Sequence, residues 1–106
     1  MANDNTIARN KKAYHDYEVL EKFEAGIALL GTEVKSCRNR NVQLQDAHAY
    51  IEKGEVWLVN AHIALYEQGN RHNHEPKRRR KLLLHKREIR KMKQLTDEKG
   101  LTLIPL

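Results

Sequence analysis

The chain holds one cysteine, Cys37, in 106 residues, so no intramolecular disulfide can staple it. A lone thiol is compatible with a reducing compartment. As a nucleophile Cys37 would need a partner base, whereas as a half-buried helix residue it needs nothing, and the second reading is preferred. No apolar run approaches the ~20 residues that cross a bilayer, and the opening MANDNTIARNKKA has no apolar signal core. A soluble, cytoplasmic protein with no membrane partner is expected. Aromatic residues make up only 6%, which argues against a sequence-tolerant single-strand binder, since such proteins stack bases on several exposed rings. There is no paired-cysteine motif, no H-E-x-x-H, no glycine-rich phosphate loop and no pair of catalytic carboxylates. The six histidines are scattered, and His72 with His74 supply too few ligands for zinc. A histidine-dependent nuclease, which needs acid, base or metal groups in one pocket, is disfavoured. No catalytic residue, metal or cofactor is expected, and the chain is read as a non-enzyme.

What is present is charge, unevenly placed. With 40% hydrophobic and 32% charged residues the chain should fold, and its length suits one domain. The formal charge is +6, but residues 77–93 alone carry +9, and the remainder −3. Clustered cations on a slightly acidic body suit a polyanion, because displacing condensed counterions from phosphates rewards clustering. Charge does not choose between RNA and DNA.

Residues 1–12 are polar and aperiodic, and read as a flexible arm. From Tyr17 to Leu29 the odd positions are mostly apolar and the even ones mostly charged, predicting a long strand, with Gly26 permitting a bulge or sharp coiling. Gly31 breaks that strand. Thr32 is then a good N-cap for a short helix whose Val34 and Cys37 share a face. Residues 47–63 predict a hairpin around Lys53-Gly54, with Tyr50 and Trp57 read as core. Residues 67–78 are a polar loop. After Leu82, Leu83 and Leu84, His85 is placed to cap a helix with Glu88 three residues on; Ile89, Met92 and Leu95 form its apolar face and Gly100 ends it. LTLIPL returns as a strand. Several strands plus short helices predict a mainly β, α+β fold, with the oligonucleotide-binding (OB) barrel the candidate by size. There is no internal repeat.

NKKAYHDYEVLEKFEAGIALLGTEVKS, GEVWLVNAHIALYEQGN and RKLLLHKREI followed by KGLTLIPL together resemble the SsrA-binding (small protein B, SmpB) family, in the family's order and across nearly the whole chain. The resemblance implies an OB-type barrel over residues 13–106 that binds the tRNA-like domain of transfer-messenger RNA (tmRNA, SsrA). It implies delivery of that RNA to stalled ribosomes for trans-translation and peptide tagging. Elongation factor Tu and alanyl-tRNA synthetase follow as indirect partners, and a monomer is expected. Relative to the family the chain looks C-terminally truncated, lacking the final strands and the basic tail. The alternative is a general single-stranded or structured RNA-binding OB module.

The candidate RNA-binding residues follow from position and from the resemblance. Arg80 and Lys81 open the family-like RKLLLHK and are assigned to phosphates. Leu83 alternates with Leu82 and Leu84; pattern divides evenly between core and RNA contact, and the resemblance favours contact. Glu24 repels phosphate but can accept hydrogen bonds from base amino groups; pattern favours a plain surface residue, and FEAG, resembling the family's RNA-contacting patch, favours function. Asn10, Lys11 and Lys12 sit on or next to the arm, either folding onto RNA or remaining mobile. Lys35 and Arg38 form a second basic site or simple surface charge. His15 and His85 are candidates for stacking or phosphate contact, and Lys86 continues the basic run.

Overall fold

The structure is a computed structural model describing residues 6–68 and 73–106; His72, named above, lies outside these. The first helix, α1 (Lys11–Asp16), starts where the Asn10 side chain accepts the Ala13 N–H at 3.1 Å. The Asn10 amide also donates to the carbonyls of Leu44 (3.2 Å) and Pro105 (2.9 Å). Asn10 is thus a buried tie, 2% exposed, between three distant segments. The predicted arm is therefore fastened at residue 10, and helical from Lys11.

The long first strand is not observed. Only β1 (Gly26–Ile27) joins a ladder, and Tyr17 and Leu20 are exposed. Alternating polarity records which way side chains point along an extended chain; it does not supply a neighbour for the backbone. Here residues 17–25 form no helix or strand, and Glu21 pairs with Lys91 of the later helix.

Helix α2 (Gly31–Arg38) is capped two residues earlier than predicted, at Leu30, whose N–H donates to the Glu33 carboxylate at 2.7 Å. Its buried face carries Glu33 and Ser36 instead of Val34 and Cys37, which stay half-exposed. Thr32, released from capping, meets the buried His74 ring at Nδ1, 2.8 Å away. The other ring nitrogen, Nε2, faces the Ile63 carbonyl at 2.8 Å. A carbonyl only accepts, so Nε2 donates to it.

Strands β2 (Val42–Gln43), β3 (His48–Glu52), β4 (Glu55–Val59), β5 (His62–Ile63) and β6 (Arg80–Leu83) form two antiparallel sheets, ordered β1-β6-β4-β3 and β2-β5. The predicted hairpin is present as β3-β4, with Lys53 and Gly54 both at positive φ, 52° and 77°. Val56 and Leu58 are buried on β4, whereas Ala61 and Ile63 are buried beyond it. Asn60, at φ 60°, makes that change of parity. Ala47, Leu58 and Ala61 form the core, covered by Ile27, Leu44 and Leu82.

Helix α3 (Lys86–Lys99) follows its predicted signals: Glu88 accepts the His85 N–H at 2.9 Å, Met92 is buried and Gly100 is left-handed. LTLIPL contributes one bridge, Leu103 to Ala49, on the free side of β3. The fold is mixed α+β with antiparallel sheets. Among the described residues the two sheets do not close into one barrel, because β5 pairs only with β2 and β1 only with β6.

Candidate nucleic-acid interface

β6 sorts the basic run by parity. Arg80 and Leu82 face inward; Lys81 and Leu83 face outward. Arg80 is 0% exposed. Its Nε donates to Glu33 at 2.5 Å, and its Nη atoms donate to the carbonyls of Ala61 (2.8 Å) and Pro76 (3.0 Å). Arg78 adds two further bonds to Glu33, at 3.0 and 2.5 Å. This corrects the assignment of Arg80 to phosphate: each of its donor nitrogens is engaged inside the protein. Burial alone pushes the Glu33 carboxyl up, but the bonds from Arg78, the Leu30 N–H and Arg80, with the Arg80 charge, outweigh it and hold it below the ordinary carboxylate value. Sequence alternation carried the signal, since Arg80 shares its parity with the anchoring Leu82 and Leu84.

Asn10 is corrected for the same reason. Its side chain is spent on Ala13, Leu44 and Pro105.

The residues left on the surface form three groups. At the β1-β6 edge, Leu83 is 50% exposed opposite Gly26. A Cβ on Gly26 would lie 3.3 Å from that of Leu83, so the glycine makes room for the leucine. Glu24, two residues before Gly26, and His85 and Lys86, just after Leu83, are all exposed and continue the same edge. Lys81 is half-buried and paired with Glu55. On α1, Lys11 and Lys12 are exposed, and His15 Nδ1 lies 2.9 Å from Asp16. Lys11 also lines a concavity of about 320 Å³ with Arg9 and Arg40. On α2, Lys35 lies over the Tyr66 ring at 5.2 Å, and Arg38 is exposed.

One feature of the basic run follows the sequence pattern, and one escaped it. Lys86, Arg87, Arg90 and Lys93 are exposed on α3, away from the Met92 face. Arg79 lies over Trp57, with its Cζ 4.0 Å from the ring centroid, and donates to the Tyr50 hydroxyl at 2.9 Å. Tyr50 and Trp57 therefore belong to the outer sheet face, not the core; the β3-β4 register and the burial of Val56 and Leu58 place them there. Burial pushes the Cys37 thiol up, in keeping with an inert residue. Among the described residues no cluster of three or more metal-ligating side chains occurs, and no helix is long and apolar enough to cross a membrane.

Comparison with known proteins gives the family. The SmpB protein family model matches residues 7–106. The chain is 66% identical over 103 residues to the SsrA-binding protein of Carboxydothermus hydrogenoformans, covering 97% of this chain and 69% of that one. It is 62% identical to the SsrA-binding protein of Levilactobacillus brevis, covering 97% and 66%. A solved structure described as "tmRNA-SmpB: a journey to the center of the bacterial ribosome" aligns at TM-score 0.74 and 54% identity, covering 92% of this chain and 68% of that one. The chain thus spans about two thirds of the length of these relatives. With a family model matching nearly its whole length and relatives above 60% identity, the chain belongs to the SmpB protein family.

Proposed function

We propose that this chain binds the tRNA-like domain of tmRNA and accompanies it to the stalled ribosome for trans-translation, as an RNA-binding protein without catalysis of its own. The observation that carries the reading is the β1-β6 edge. Leu83 stands half-exposed over Gly26 with Glu24, His85 and Lys86 alongside. An exposed leucine beside a carboxylate and cations suits RNA whose bases are partly unstacked: apolar contact for a base face, an acceptor for an amino group, and charge for phosphate. Lys11, Lys12, His15, Lys35, Arg38 and Lys81 are the supporting contacts of this reading. In the same reading the two sheets are parts of an OB-type barrel within one domain, the protein acts as a cytoplasmic monomer, and elongation factor Tu and alanyl-tRNA synthetase meet it only through the RNA.

A general RNA-binding module is the second reading. Tyr14 and Tyr17, 53% and 51% exposed, favour it, because exposed rings are what a sequence-tolerant binder stacks bases on. Competition at fixed salt between the tRNA-like domain, an unstructured RNA and duplex DNA separates the two. The expected result is preference for the tRNA-like domain, lost together in Glu24→Ala and Leu83→Ala. Equal affinity for all three would sink the specific reading.

A further inference from the structure

β4 turns Val56 and Leu58 into the core, so Trp57 points outward, and the ladder sets Tyr50 on one side of it and Lys81 on the other. Arg79 folds over this row. Its guanidinium rests on the indole at 4.0 Å, its Nη1 donates to the Tyr50 hydroxyl at 2.9 Å, and Glu52 lies 3.8 Å away. The Arg79 side chain is nevertheless exposed, so the side of the guanidinium turned from the indole meets solvent.

We propose that Trp57, Arg79 and Tyr50 form a nucleobase-stacking platform, with an unpaired base of the bound RNA lying on the outward face of the Arg79 guanidinium. The proposal rests on the RNA-binding reading above and extends it to a second part of the surface. Three observations support a base in preference to a phosphate. The guanidinium is planar and already held against an aromatic ring, so little side-chain freedom is lost when a base stacks on it. Arg guanidinium planes and aromatic rings are the usual stacking partners of unpaired bases. The local charge is balanced, with Arg79 near Glu52 and Lys81 paired to Glu55. A balanced patch offers phosphate little net attraction but suits an uncharged aromatic plane. Its position also fits. Trp57 is one strand over and two residues along from the position opposite Leu83, roughly 8 Å by ordinary sheet spacings. A short stretch of RNA that touches Leu83 can therefore reach Arg79.

Trp57 is the only tryptophan in the chain, which makes its emission a probe of this one place. The wild-type protein is titrated with labelled tRNA-like-domain RNA while RNA anisotropy and tryptophan emission are both followed. The expected result is a change in Trp57 emission that saturates along the anisotropy isotherm. Arg79→Ala should weaken binding by about five- to tenfold, toward the low end of what one stacked base contributes. Arg79→Lys should weaken it comparably while leaving the salt slope at its wild-type value, because it keeps the charge and loses the plane. Far-UV circular dichroism confirms that these exposed-site variants remain folded. If the wild type binds the RNA but Trp57 emission is unmoved at saturation, or either variant binds like the wild type, the platform is refuted and the RNA-binding reading stands. If the wild type does not bind the RNA, both fall.

Discussion

The first and second halves of the basic run are nearly equal in charge and differently placed. Arg78 and Arg80 turn inward onto Glu33, and Arg79 and Lys81 are held by neighbours on the sheet. On α3, Lys91 meets Glu21, but Lys86, Arg87, Arg90 and Lys93 project into solvent. A count of cations along a segment therefore overstates what a polyanion can reach. Strand geometry sends every second residue into the core, so a strand in a basic run must bury some of its charge and supply a counter-ion. An amphipathic helix can keep all its cations on its wet faces.

The largest effect expected from this contrast is on stability. Removing one partner of a buried ion pair strands the other, at a cost of about 3–5 kcal/mol. Glu33→Ala leaves Arg80 buried without its carboxylate, and urea unfolding should show a loss of that size. A change below about 1 kcal/mol would mean that the cluster is not the inner support described here. The pH dependence has a definite sign. Glu33 is held below its unfolded value, so its contribution is complete above the unfolded carboxyl pKa and is lost as pH falls through the folded one. Glu33→Gln should remove that part of the acid destabilisation, and its stability should fall less steeply than the wild type's over the acidic limb. An unchanged limb would assign the acid sensitivity to other carboxylates.

Asn10 offers an intermediate test of the same principle on a neutral group. Asn10→Ala removes a helix cap, which costs about 0.5–2 kcal/mol. It also leaves the Leu44 and Pro105 carbonyls without this donor. A stability loss of about 1–2 kcal/mol is expected, with the salt slope of RNA binding unchanged. A flatter slope with unaltered stability would return Asn10 to the RNA surface.

How much of this was legible depended on whether a signal was local. The β3-β4 hairpin and α3 were, because Lys53-Gly54, the Ile89-Met92-Leu95 spacing and Gly100 act through the backbone of their own segment. Residues 17–29 were misread because alternation says nothing about which strand supplies hydrogen bonds. Arg80 was misassigned because its counter-ion lies 47 residues away, in a helix whose buried face is polar. Alternation left Leu83 evenly divided between core and surface, and only the family resemblance turned it outward, where it stands 50% exposed. Trp57 was taken for core because hydrophobicity does not reveal which face of a sheet an aromatic occupies.

The smallest change in stability, and the sharpest test of the comparison, belongs to α3. Arg87→Gln with Arg90→Gln removes two exposed cations that make no ion pair among the described residues. Each change should alter stability by no more than about 0.5 kcal/mol, as surface substitutions usually do. If both residues reach phosphates, the slope of log affinity against log salt should flatten by roughly 0.7–0.9 for each contact removed. The inner half of the run makes the opposite prediction: Arg78→Gln should cost stability through Glu33 and leave the slope of the folded protein nearly unchanged. Measuring both slopes on the same RNA, under conditions where every variant is folded, isolates location from charge, since all three substitutions remove one positive charge apiece. Equal flattening per charge from α3 and from Arg78 would show that the polyanion senses net charge, and the division between an inner and an outer half would fail.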